Sequence, residues 1–229
     1  MKLIDKYEPR CINDLTVSDP ATFNILKALA SGRMSGHVIL HGTNGVGKSS
    51  AAKLLIDAIG GQYPSVERIS AQQLLRKVDL DTYLAQAAHL ASLTTSNKHF
   101  VLLNEFDEET GNLHLLWQAM DRCQAGLMVL ITTNELMKIH PSIRSRCYVL
   151  HFPPVTALEI LPTAERILAL EGLPMDPAVL LAHLQTREYF GDLRKYFEIL
   201  ESLLYVHKST QLITQNLLSS NAPSNSVII

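Results

Sequence analysis

Residues Gly42-Thr43-Asn44-Gly45-Val46-Gly47-Lys48-Ser49 constrain this chain more than any other stretch. They fit the spacing GxxxxGK[ST], directly after an apolar run at 37–41 and directly before a helix-forming stretch at 48–59. A strand that ends in such a loop and feeds a helix directs backbone N–H groups and the helix N-terminus at one point, which is a cradle for phosphate. Lys48 adds a cation for the outer phosphates and the Ser49 hydroxyl a ligand for Mg²⁺, with Ser50 behind it in the first helical turn. The segment therefore predicts a nucleoside triphosphate, ATP, bound with Mg²⁺.

A loop of this kind needs a parallel sheet to hold it, and the rest of the sequence supplies one. Short apolar runs at 37–41, 66–70, 100–103, 127–132 and 148–152 read as five buried parallel strands. Helical stretches at 48–59, 81–91 and 113–123, and a short piece near Pro141, read as the crossovers between them. From Thr156 onward the strand signal stops, and apolar residues recur at helical spacing over 157–171, 178–186, 192–206 and 210–218. Pro153-Pro154 marks the boundary, and Asp176-Pro177 reads as a helix cap followed by a first-turn proline. The expected organisation is an α/β domain over 1–154, a small all-helical domain over 155–219, and a disordered tail over 220–229.

Composition sets limits on partners. At 229 residues and 47% hydrophobic content the chain can bury a core. It has no apolar run near the ~18 residues of a membrane span, and no apolar leader follows Met1, so a cytoplasmic protein without a membrane partner is expected. Cys11, Cys123 and Cys147 are odd in number and form no CxxC pair, which suggests neither a disulfide framework nor a zinc site. A net charge of −2 leaves no generally basic surface for nucleic acid, so DNA contacts would have to come from scattered residues such as Arg68, Arg76, Lys77 and Lys98.

Further segments fall in an order that resembles one branch of the AAA+ ATPases, the clamp-loader subunits of cellular and phage replication, over nearly the whole chain. Lys6-Tyr7-Glu8-Pro9-Arg10 with Asp14-Leu15 resembles the opening segment of those subunits, which implies that Tyr7, Pro9 and Arg10 lie against the nucleotide base. Val101-Leu102-Leu103-Asn104-Glu105-Phe106-Asp107 resembles their Walker B stretch, with Asn104 where an aspartate is expected near the metal and Glu105 in the place of the residue that orients the attacking water. Asn134 falls at the sensor 1 position. Ser145-Arg146-Cys147 resembles the Ser-Arg-Cys motif, in which the arginine, here Arg146, reaches a neighbouring subunit's nucleotide, while Arg144 reads as a surface or salt-bridging residue. Gly191-Asp192-Leu193-Arg194 resembles the segment that brings sensor 2, here Arg194, to the phosphates.

The resemblance implies a P-loop AAA+ three-layer sandwich with a helical lid, working with other AAA+ subunits on DNA and a sliding clamp or another DNA-bound protein. The family's third, collar domain has no counterpart in these 229 residues, which puts stable self-assembly in doubt. Residues 72–75 lie roughly where relatives touch the clamp, but an apolar stripe at helical spacing reads equally as core, and no clamp site is assigned. The apolar end Val227-Ile228-Ile229 could add to a partner's sheet edge, though a disordered end accounts for it as well. A weakly hydrolysing, nucleotide-dependent scaffold of a mobile element or defence system is the rival reading, supported by Asn104. A small-molecule kinase is disfavoured, because nothing in such enzymes calls for the Ser-Arg-Cys and Gly-Asp-x-Arg segments together.

Overall fold

The structure is a computed structural model that describes residues 1–69, 97–106, 114–122 and 126–220, with Gln86 and His89. Most of the crossover expected at 81–91, the stretch at 72–75, Arg76, Lys77, Asp107, Cys123 and the tail beyond Ser220 lie outside the described residues. The chain divides into two compact units, one of Pro9–Val155 with Gly191–Leu193, the other of Met1–Glu8, Thr156–Phe190 and the stretch that begins at Arg194.

The α/β unit is built on a five-stranded parallel sheet of β1 (His37–Gly42), β2 (Ser65–Ile69), β3 (His99–Leu103), β4 (Leu127–Thr133) and β5 (Cys147–Phe152), in the order β2-β3-β4-β1-β5. Every residue of β3 and β4 is buried, as continuous apolar runs in the middle of a parallel sheet must be. Alternate residues feed two cores. Val38, Leu40, Phe100, Leu102, Met128 and Leu130 pack on one face with α2 (Pro20–Ala30) and α3 (Lys48–Gly60). Ile39, Val101, Leu103, Val129 and Ile131 pack on the other with α4 (His114–Arg122) and α5 (Pro141–Arg144). The result is the α/β fold with a five-stranded parallel sheet that the sequence predicts.

One helix goes beyond the alternation of strands. Asp19 accepts hydrogen bonds from the N–H groups of Ala21 and Thr22 at 3.0 and 3.1 Å, Pro20 occupies the first turn, and α2 follows, burying Thr22, Leu26 and Leu29. Asp176-Pro177 does the same for α7 (Pro177–Gln185), where Asp176 accepts from Ala178 and Val179.

The helical unit begins with α1 (Leu3–Lys6) and continues through α6 (Ala157–Leu170), α7 and α8 (Leu193–Ser220). Thr156 and Glu159 close a capping box at the start of α6. Ile160, Ala164, Ile167 and Leu168 of α6, Leu180 and Leu184 of α7, and Tyr196, Leu200 and Leu204 of α8 are buried at helical spacing. The sequence suggests separate stretches at 192–206 and 210–218, whereas α8 runs through both as one helix. Its polar joint is absorbed rather than broken: the Ser209 and Thr210 hydroxyls donate to the carbonyls of Tyr205 and Val206, four residues back, each at 2.9 Å.

Candidate functional site

The loop after β1 is shaped by contacts that exclude side chains. A Cβ on Gly42, at φ +151°, would lie 2.0 Å from the Phe152 carbonyl oxygen, and one on Gly45, at φ +75°, would lie 1.7 Å from Asp192 Oδ1. The second contact arises because Leu193 N–H donates to the Gly45 carbonyl at 3.1 Å and Val155 N–H to that of Gly191, so that Gly191–Leu193 lies on the loop. Val46 is buried in the core beneath the loop, while Thr43 and Asn44 are exposed. Gly47 passes the chain into α3 in a left-handed conformation, without a side-chain cap on the helix N-terminus. That terminus presents N–H groups to an anion.

Lys48, the first residue of α3, is buried. Its ammonium donates to the carbonyls of Gly42 at 2.8 Å and Thr43 at 2.6 Å and to Asn134 Oδ1 at 2.9 Å. Two strand ends away, Ser49 Oγ donates to Asn104 Oδ1 at 3.2 Å, and the same oxygen accepts the Thr132 hydroxyl at 2.8 Å. Thr132 in turn accepts the N–H of Glu105 at 2.9 Å, and its carbonyl takes the N–H of Phe106 at 2.8 Å. Glu105 is exposed and sits at φ +51°, a backbone conformation uncommon for a residue with a side chain. The buried Phe106 and the two bonds to Thr132 hold it there, and strain of this kind, of order 1–3 kcal/mol, clusters at functional sites.

These residues lie at the carboxyl ends of β1, β3 and β4, so one end of the sheet carries a phosphate cradle, a buried cation, a hydroxyl–amide pair and an exposed carboxylate. The cradle, with Lys48, fits a triphosphate. Ser49 and Asn104 fit a Mg²⁺ ion as neutral oxygen donors, without the carboxylate that would supply negative charge. His41, one residue before the loop, stacks on His151 with ring centroids 4.8 Å apart; burial foremost, with His151 and Lys48 beside it, holds it below its usual range.

The other predicted residues are spread more widely. Tyr7 lies in the helical unit and its hydroxyl donates to Glu171 Oε1 at 2.9 Å, with Lys6 on the same oxygen. Pro9 and Arg10 lie in the α/β unit, where Asp14 Oδ2 accepts the Arg10 and Cys11 N–H groups. Arg194 is exposed in the first turn of α8, in the helical unit. Ser50 is half-buried in the first turn of α3. Arg144 is half-buried with Nη1 3.3 Å from Met137 Sδ.

Arg146 immediately precedes β5, whose first residue Cys147 pairs with His37 and whose last, Phe152, pairs with Gly42. At ~3.3 Å per residue, the five steps of strand from Cys147 to Phe152 span roughly 16 Å, and Arg146 lies one residue further still from the level of its own loop. Its guanidinium is bound to Asp121 through Nε and Nη2, both at 2.7 Å, and donates through Nη1 to the Ser142 carbonyl at 2.7 Å. Each partner reinforces the other's charge: Asp121 is held below and Arg146 above its usual range by this hydrogen-bonded pair. Burial pushes the neighbouring Cys147 thiol up to about 12, which removes it as a nucleophile.

Sequence reasoning overlooks three contributors. Thr132, which joins Asn104 to Glu105, is signalled only by a hydroxyl at the end of an otherwise apolar strand. Asp192 reads as a helix cap, yet its carboxylate lies against Gly45. Asp121 carries no signal at all, because its partner is 25 residues away.

The replication factor C small subunit of Methanocella arvoryzae is 27% identical over 208 residues, covering 89% of this chain and 63% of the relative. The large subunit of Methanococcoides burtonii is 26% identical over 212 residues, covering 87% of this chain and 41% of the relative. The chain thus spans less than two thirds of the length of these relatives. A variant of Thermotoga maritima RuvB superposes with a TM-score of 0.66 at 19% identity, covering 88% of this chain and 67% of that one, a likeness of fold alone. Residues 38–154 match the family described as "ATPase family associated with various cellular activities (AAA)", and with the loop, the sheet and relatives of the replication factor C, clamp-loader type, the chain belongs to that family.

Proposed function

We propose that this protein binds ATP with Mg²⁺ on the loop Gly42–Ser49 and hydrolyses it as one subunit of an oligomer that acts on DNA or on a DNA-bound protein such as a sliding clamp. The observation that carries the reading is the hydrogen-bonded convergence of Lys48, Asn134, Ser49, Asn104 and Thr132 at one end of the sheet. Bound Mg²⁺ supplies positive charge to the outer phosphates. Loop N–H groups and Lys48 hold the phosphates, and Ser49 and Asn104 offer oxygens to the metal. Glu105 orients the attacking water, and Asn134 links that region to Lys48. Tyr7, Pro9 and Arg10 would flank the base, and Arg194 would contribute as sensor 2.

Arg146 acts in trans. Its place just before the far end of β5 supports this, since the whole strand, about 16 Å long, lies between it and its own loop. An arginine supplied to a neighbour's transferring phosphoryl group contributes ~10³ to 10⁵ in rate. Turnover should therefore rise with protein concentration and with primed DNA, and mixing Arg146→Ala with Lys48→Ala, each strongly impaired alone, should restore hydrolysis. A turnover per subunit that is independent of concentration, unaffected by DNA and not restored by mixing would refute the oligomeric reading.

Asn104 favours a second reading, in which nucleotide binding switches a scaffold and hydrolysis is slow. A neutral amide leaves the metal less organised than a carboxylate would. ATP-dependent assembly with negligible turnover, DNA present or absent, would select it.

A further inference from the structure

We propose that Asp121 is the positioning residue for Arg146, setting the guanidinium so that two of its N–H groups are left for the phosphates of a nucleotide held by another subunit. This rests on the reading of Arg146 as a residue that works in trans. A guanidinium carries five N–H donors in one plane. Asp121 takes Nε and Nη2, the Ser142 carbonyl takes Nη1, and three of the five are thereby used. Gripping a plane by one edge and one corner fixes its direction, and the remaining donors are the ones an incoming anion can reach.

The pair is poorly explained as a stabilising device. The Arg146 and Asp121 side chains keep 32% and 45% of their exposure, and ion pairs open to solvent contribute little to folding. Asp121 is itself well anchored. Leu116 and Met120 on the same helix are buried in the second core, so α4 holds the carboxylate in register. Ser142 lies within α5, whose start is capped by His140 Nδ1 accepting the Ser142 N–H at 3.1 Å, and the His140 ring stacks on Trp117 of α4 at 4.9 Å. Both partners of the guanidinium thus sit on elements tied to each other.

The test is a double-mutant cycle on steady-state ATP hydrolysis at saturating protein and DNA, with nucleotide affinity and thermal unfolding measured in parallel. Asp121→Ala should lower kcat by about ten- to a hundredfold, the scale on which misplacement of a reacting group acts, and leave ATP affinity and the unfolding temperature near wild type. Asp121→Glu should recover most of the rate, and the near-isosteric Asp121→Asn should fall between. In an Arg146→Ala background, Asp121→Ala should cost nothing further. Unchanged or raised turnover in Asp121→Ala would overturn the proposal, and a raised rate would show that the carboxylate restrains Arg146 instead. A further loss of rate in the Arg146→Ala background, or an unfolding temperature that collapses in both Ala and Asn variants, would do the same. Wild-type turnover in Arg146→Ala would show that the trans reading has failed and taken the positioning role with it; impaired Arg146→Ala beside active Asp121→Ala would dispose of the positioning role alone.

Discussion

Asn134, just past the end of β4, accepts a 2.9 Å hydrogen bond from the ammonium of Lys48 at the start of α3. The loop carbonyls of Gly42 and Thr43 hold the same ammonium, so removing the amide should leave Lys48 in place while cutting its link to the neighbouring strand. Asn134→Ala should therefore keep ATP affinity within about threefold and lower turnover about tenfold or more, as expected for an interaction made chiefly in the transition state. Equal losses in affinity and turnover would assign Asn134 to ground-state binding.

Asn104 Oδ1 accepts two hydroxyls, from Ser49 and Thr132. An aspartate there could accept the same two bonds and add the negative charge that organises Mg²⁺. Asn104→Asp should lower the Mg²⁺ concentration needed for half-maximal hydrolysis and raise the rate, whereas Glu105→Gln should bind ATP normally and hydrolyse it more slowly than wild type. Mg²⁺ titrations of the ATPase check both, and a wild-type rate already equal to that of Asn104→Asp would show that Asn104 is not a brake.

Gly45 has no room for a side chain and sits at positive φ. Gly45→Ala should reduce ATP affinity about tenfold or more, from strain of order 1–3 kcal/mol concentrated in the loop. Adding Asp192→Ala removes the clash but not the strained φ, so the double variant should recover affinity only in part. Full recovery in a calorimetric titration would mean that crowding alone matters.

His37 is buried in β1, and its Nδ1 accepts the N–H of Val129 at 3.0 Å, which requires a neutral ring. Burial holds it below its ordinary value of 6.5, with a hydrogen bond to the Met120 backbone and the Asp121 charge opposing. Because the unfolded chain binds this proton more readily, the contribution to stability is fully present above about pH 6.5 and is lost as pH falls through that value towards the folded pKa. The unfolding temperature should drop from pH 7 to pH 5, and His37→Gln should flatten the drop. A slope unchanged in that variant would place the titration elsewhere.

The sheet was legible because five apolar runs bounded by polar or glycine residues leave few alternatives to buried parallel strands. The cradle was legible because its glycines and Lys48 are local in sequence. The same Asp-Pro signal that announces α7 also stands before α2, at Asp19-Pro20, but between an irregular start and the first strand it attracts less notice. The continuity of α8 was hidden by polar residues at 207–210, of which Ser209 and Thr210 reach back to carbonyls of their own helix. Contacts between distant segments, Asp121 with Arg146 or Asp192 with Gly45, depend on the fold and leave no local pattern to read.

Equilibrium binding of a fluorescent ATP analogue with Mg²⁺, to the unaltered protein and to Lys48→Ala, asks whether the loop Gly42–Ser49 holds the nucleotide. Binding to the first should be saturable and competed by ATP, and none should be detectable to the second at the same concentrations, with both proteins folded by circular dichroism. Equal binding by the two would contradict the assignment of the site.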